Sequence, residues 1–242
     1  MGELILLAPR RVTGARHGRD PRPAFFFDVG CPLSYLAAVH IERIFGDVDW
    51  VPVSGAALHG ERNDAELARL RHQAEEQAAM LRLPLVWPES FPAASWRTQR
   101  AAAFAAEQGA GPRFAVAAGR LAFCGGFDLD DPEMLAEAAA AAALPLDACL
   151  EAAADPSRDL ALTATALALS ARAVRELPVL RSGGRWFAGR HGWRVAATML
   201  RPAPANRSAG ERIGGGPVAQ GATVTALASA RRTGIASLAP GG

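Results

Sequence analysis

Cys31, Pro32, Leu33 and Ser34 stand where an apolar run gives way to a helical pattern, in "FFFDVGCPLSYLAAVHIERIFG", residues 25–46. A cysteine at a strand tip, just before a helix, meets the unpaired N–H groups and the positive dipole end of that helix. Both favour thiolate over thiol, so Cys31 reads as a nucleophile with a pKa below the free value of about 8.5. Redox sites of this kind usually carry a second cysteine three residues on, and Ser34 holds that place. A lone thiol there cannot close an intramolecular disulfide in the usual way. It can form a mixed disulfide with a small thiol or a protein, or it can bind and polarise a thiol without turning over a disulfide. Ser34 would then assist by hydrogen-bonding the thiolate. The plainer alternatives are a small buried residue at a strand end for Cys31 and an ordinary first-turn residue for Ser34.

Nothing else in the chain competes as a chemical centre. Cys124 and Cys149 sit in helical patterns and read as small apolar packing residues. Three cysteines with no C-x-x-C pair argue against a disulfide scaffold and fit a reducing compartment. His17, His40, His59 and His72 show no metal spacing, so no metal is expected, and no nucleotide loop, Ser-His-Asp arrangement or zinc pattern is present. His40 lies on an apolar helix face and reads as a satisfied core or interface residue. All 26 basic residues are arginine, which rules out a Schiff-base lysine. A net charge of +2 gives no case for a nucleic-acid partner. "ELILLAP" near the N-terminus is too short and wrongly flanked for a signal peptide. No apolar run approaches the roughly 20 residues of a membrane span. A cytoplasmic protein with no membrane partner is expected.

The elements that must position Cys31 follow from the pattern. "AFFFDV", 24–29, reads as a buried strand bounded by Pro23 and Gly30. Residues 32–45 read as a helix with Leu33, Leu36, Ala37, His40, Ile41 and Ile44 on one face and Pro32 in its first turn. "VDWVPV", 48–53, reads as a second strand. From about 64 to 175 the pattern is helical almost throughout, with Asp-Pro start signals and glycine stops. "ELPVLRSGGRWFAG" reads as two short strands around a Ser-Gly-Gly turn, and "WRVAATML" as a last helix. Residues 1–22 are expected to be a flexible leader and 202–242 a disordered tail. Half of the chain is hydrophobic, enough for one sizeable core. The expected architecture is an α/β domain over 23–201 with a helical subdomain, about 64–175, inserted in it as a separate lobe.

Four segments resemble one family in order and spacing: "FFFDVGCPLSYLA", "FPAASWRTQRAAAFA", "FCGGFDLDDPEMLAEAAAAAALPLDACLEAA" and "AVRELPVLRSGGRWFAG". Over residues 24–200 the chain resembles the DsbA-like branch of the thioredoxin superfamily. Within that branch it is most similar to the 2-hydroxychromene-2-carboxylate isomerases and kappa-class glutathione transferases. The resemblance implies a thioredoxin fold with an inserted all-helical subdomain, and a catalytic position at Cys31, where those isomerases carry serine. It implies a cis bond at Leu177–Pro178, beside Cys31, whose backbone would bind a thiol-containing ligand with Pro32 and Leu177 in the binding surface. Asn63 matches an asparagine that contacts glutathione in those relatives, although a plain loop or helix-start residue fits it equally well.

The chain also departs from the pattern. Arg190 and His191 follow Gly189 where the relatives carry a Ser-Asp or Asn-Asp pair, Ala94 replaces a common Asn, and Val179 replaces a common Thr. These changes point away from glutathione itself as the thiol. Three readings remain. One is a thiol-dependent oxidoreductase with Cys31 as its single nucleophile and Ser34 as its helper. Another is an isomerase-like or transferase-like enzyme acting on a small-molecule substrate with a bound low-molecular-weight thiol. The third is a non-catalytic thioredoxin-fold binding module. A homodimer is compatible with all three.

Overall fold

The computed structural model describes residues 22–92 and 95–200. The expected leader, apart from its last residue, and the expected tail lie outside the described residues, as does Ala94.

The Phe run forms strand β1 (Ala24–Phe27), buried along its whole length. It lies inside a four-stranded sheet, parallel to β2 (Asp49–Pro52) and antiparallel to β3 (Val179–Ser182), which pairs in turn with β4 (Arg185–Ala188). A strand covered on both faces explains why 25–27 is continuously apolar rather than alternating. Phe25 and Phe27 meet the edge of Trp50 on one face, with centroids 5.0 and 5.5 Å apart, and Phe26 meets Trp186 on the other at 5.4 Å. Helix α1 (Pro32–Phe45) makes the crossover from β1 to β2, starting with Pro32 and stopping at Gly46, whose φ is +72°. The hairpin turns through Gly183 and Gly184, both at positive φ, as a two-residue turn of this kind requires.

Between β2 and β3 come α2 (Gly55–His59), α3 (Asp64–Leu81), α4 (Trp96–Glu107), α5 (Gly111–Phe123), α6 (Pro132–Ala141), α7 (Leu146–Ala154), a 3₁₀ turn (Pro156–Arg158) and α8 (Asp159–Ser170). Helix α9 (Gly192–Leu200) closes the order. The strands are shorter than expected because the backbone turns at Val29 and Gly30 to launch α1, and at Ser54 to launch α2, an element with no forecast. The helical insertion is present, but it is not a separate lobe. Phe25 and Val179 of the sheet, Leu36 of α1 and Ala101, Phe114 and Phe123 of the insertion belong to one hydrophobic core. Alanine-rich faces make this possible by letting α4 and α5 approach the sheet and α1 closely. Among the described residues, no helix is long and apolar enough to cross a membrane.

Candidate thiol site

Cys31 is the N-cap residue of α1, in extended conformation (φ −98°, ψ 114°), and its side chain does not cap the helix. Its backbone N–H donates to Asp28 C=O at 3.1 Å, which closes the turn between strand and helix. All three cysteines are free thiols. Cys31 is 9% exposed, and its opening is a cleft of about 520 Å³ that also reaches Asp28, His59, Arg62, Trp96 and Leu177. The Leu177–Pro178 bond is cis, as expected, and Leu177 lines the same cleft. Pro178 C=O accepts the Gly189 N–H at 2.9 Å, which ties the segment to the end of β4.

The electrostatics of Cys31 reverse the expectation. Burial pushes its thiol pKa up, and the neighbouring Asp28 charge adds to that. The Ser34 hydroxyl, the Ser34 N–H and Arg62 act in the lowering direction without overcoming it. The helix start offers its N–H groups as the sequence implies, but enclosure removes the water that would stabilise a thiolate. Ser34 is 1% exposed, and its Oγ accepts the Asp28 N–H at 3.4 Å. It therefore supports the turn, while its hydroxyl acts on the Cys31 thiol only in the lowering direction. Pro32 is buried at the first helical position.

Asp28, quoted in the sequence only as part of the strand, is the centre of the site's wiring. Its Oδ1 accepts the Gly30 N–H and its Oδ2 the Gly55 N–H, each at 2.7 Å. Burial still pushes its carboxyl pKa up, against those two bonds and the charges of His59 and Arg62. Burial pushes His59 down. Gln99, buried in α4, accepts the Val29 N–H at 3.0 Å and donates to Val53 C=O at 2.7 Å and Phe27 C=O at 3.4 Å. The turn between β1 and α1 is thus held from beneath by an inserted helix. Ser95 closes in from the start of α4, its Oγ only 2.9 Å from where a side chain on Gly30 would begin. Asp28, His59 and Gln99 escape a motif search because their partners are mostly backbone groups brought together by the fold.

Other sequence candidates have structural occupations. Asn63 caps α3 in a reciprocal capping box with Glu66, which is the plainer of its two readings. Arg190 pairs with Glu76 at 2.6 Å, and neither it nor His191 lines the cleft. Cys149 is fully buried as expected, and burial raises its thiol. Cys124 is half-buried rather than enclosed, with Sγ 3.1 Å from the Tyr35 hydroxyl. His40 is half-buried and stacks on Trp193, and its Nε2 is buried without a partner, so it is not the satisfied core residue expected.

A profile of the DSBA-like thioredoxin domain matches residues 24–200. The chain belongs to the DSBA-like thioredoxin domain family. Among solved structures it is similar to 2-hydroxychromene-2-carboxylate isomerase, with 18% identity, a TM-score of 0.60, and coverage of 73% of this chain and 93% of that one. It is also similar to a candidate protein disulfide isomerase from Nitrosomonas europaea, with 16% identity, a TM-score of 0.57 and coverage of 73% and 93%. A candidate DsbA oxidoreductase from Streptomyces coelicolor gives 18%, 0.55, 76% and 92%. At these identities the likeness is one of fold. Among curated proteins none matches in sequence. The DSBA-like domain thus spans the sheet, α1 and the whole helical insertion, with Cys31 at the start of its first helix.

Proposed function

We propose that the chain is a thiol-dependent oxidoreductase that uses Cys31 as its single nucleophile. The observation that carries this reading is a free cysteine at the start of α1, open to a cleft shared with the residue before a cis-proline, with Ser34 in place of a second cysteine. In the proposed reaction the Cys31 sulfur attacks a disulfide RS–SR′. A Cys31–SR bond forms, the RS–SR′ bond breaks with its electron pair on R′S, and the thiol proton ends on R′SH. A low-molecular-weight thiol from solution then attacks the mixed disulfide and restores Cys31. Of the three expected binding residues, Leu177 lines the cleft, and the R group would lie against it; Pro32 and Pro178 are buried outside the cleft lining. Incubation with a disulfide should leave a mass adduct on Cys31 alone, and Cys31→Ser should abolish disulfide exchange. Full exchange activity in that variant overturns the reading.

The raised Cys31 pKa favours a second reading. A thiol kept neutral is a hydrogen-bond donor, and one placed beside a bound thiol could orient it for addition to an unsaturated substrate, as in an isomerase-like or transferase-like enzyme. Cys31→Ser would then preserve activity, since serine supplies the same donor. A binding module without catalysis would show neither the adduct nor turnover.

A further inference from the structure

Helix α8 departs from the pattern of a surface helix, which buries an apolar stripe and turns charge to water. Its buried side is Leu162, Ala166 and Leu169. Its outer side is apolar as well. Leu160, Ala161, Ala164, Leu167, Ala168 and Ala171 recur at helical spacing on one face, and all six are exposed. The two leucines are 76% and 59% exposed. Asp159 is the one charged residue of the helix, and Arg100 holds its carboxylate at 2.6 Å, so no charge interrupts the stripe. At its margin the Thr165 hydroxyl is turned back on Ala161 C=O at 2.9 Å. A contiguous apolar face marks an interaction site where a lone exposed leucine would not.

The stripe is complementary to itself. Laid antiparallel on a second copy, with a two-fold axis at Ala164, it sets each Leu160 opposite an Ala168 and each Leu167 opposite an Ala161. Every large side chain then meets a small one, and Ala164 meets itself. A parallel pairing in register would set leucine on leucine and like charge on like charge. The ends agree with the antiparallel order. Before the helix stands Asp155; Arg158, 4.0 Å from it, is directed to Glu107 at 2.9 Å. After the helix stand Arg172 and Arg175, held on its last turn by bonds to Ala168 C=O at 2.9 Å and Ser170 C=O at 2.6 Å. Glu176 is turned to Gly189, its Oε2 2.7 Å from where a side chain there would begin. The axis at Ala164 brings each Arg172 towards an Asp155, and the positive end of each helix dipole towards the negative end of the other.

We propose that α8 is a homodimer contact, in which two copies of this chain pair antiparallel through the Leu160–Ala171 face. Leucine set into alanine lets the two axes approach to the short end of about 8–10 Å. One helix pair is a small interface, so dilution shifts the equilibrium to monomer. The stripe lies away from α2, which packs on α8, so the pairing does not depend on the chemistry at Cys31.

Sedimentation velocity of the full chain tests the pairing. The mean mass should rise from monomer towards dimer between about 1 and about 100 µM. Leu167→Arg places a cation at two points of each dimer and should weaken it by about 10²-fold. Its circular dichroism spectrum should be unchanged, because position 167 is exposed. The helix order is tested in protein carrying Cys31→Ser and Cys124→Ser. Ala164→Cys, at the axis, should be joined to its own copy by a short bismaleimide. Leu160→Cys, which the antiparallel order sets about 12 Å along the helix from its own copy, should be joined far more slowly. A full chain that stays monomeric throughout overturns the proposal, whatever else covers α8. So does a dimer that Leu167→Arg leaves intact, or one that joins Leu160→Cys as fast as Ala164→Cys.

Discussion

The side-chain amide of Gln99 donates to Val53 C=O at 2.7 Å and so joins α4 to the end of β2, while its oxygen takes the Val29 N–H. Gln99→Leu would keep the side chain's bulk and leave Val29 N–H and Val53 C=O without partners. Each buried unpaired group costs about 1–3 kcal/mol. The variant should lose about 2–4 kcal/mol of stability in urea unfolding, and a loss below about 0.5 kcal/mol would sink this account of the turn.

Ser34 lowers the Cys31 thiol pKa against the larger effect of burial. Ser34→Ala should move the midpoint of Cys31 alkylation by iodoacetamide to higher pH. Ser34→Cys places a second thiol three residues on, and oxidation should then remove two titratable thiols and add an intrachain disulfide by mass. A variant that still titrates three or more thiols after oxidation refutes the placement.

Gly119 of α5 packs beneath Tyr35 of α1. A side-chain carbon at 119 would fall 2.8 Å from Tyr35 Cγ and 2.9 Å from its Cβ. Alanine gains about 1 kcal/mol over glycine within a helix, whereas overpacking costs about 1–3 kcal/mol. Gly119→Ala should therefore lower Tm, and Tyr35→Ala in the same chain should turn the substitution favourable. A Gly119→Ala protein with a raised Tm contradicts the close approach of the two helices.

His40 lies parallel to Trp193, 5.5 Å between centroids, and bonds Arg43 through Nδ1. Its Nε2 is buried without a partner. Burial lowers its pKa, and Arg43 and Arg194 lower it further. As pH falls below about 6.5 the unfolded chain takes the proton before the folded one. Stability is thus retained above that pH and lost as pH drops towards the folded pKa. His40→Gln should flatten this part of the dependence of the urea midpoint on pH. Parallel curves for the two proteins would refute it.

The legible parts of the chain were those whose signals are local. Pro23 and Gly30 bracket β1, Pro32 and Gly46 bracket α1, and Gly183-Gly184 marks the hairpin, so all three could be read in place. Helix α2 was missed because it has five residues, too few for a period. The direction of the Cys31 shift was misread because a helix start is visible in sequence, while the enclosure that outweighs it comes from α2, α4 and the 177–178 segment. Asp28 was in view as a residue, but its partners are the N–H groups of Gly30 and Gly55, and backbone groups carry no letter. For Gln99 a signal did exist, since a polar residue recurs on the buried alanine face of α4 beside Thr98.

Strand β1 pairs on one side with β2, its near neighbour in the chain, and on the other with β3, which follows the entire helical insertion. During synthesis the Phe-rich strand must therefore wait, with one row of backbone groups uncovered, until β3, at the far end of the domain, has emerged. Non-local pairing of this kind is slow compared with helix formation. The six inserted helices and α1 can meanwhile assemble on the first half of the sheet, since they share its core. The thiol at the tip of β1 would then stand in an unfinished cleft until residues 177–182 arrive, which makes its accessibility a clock for the completion of the domain.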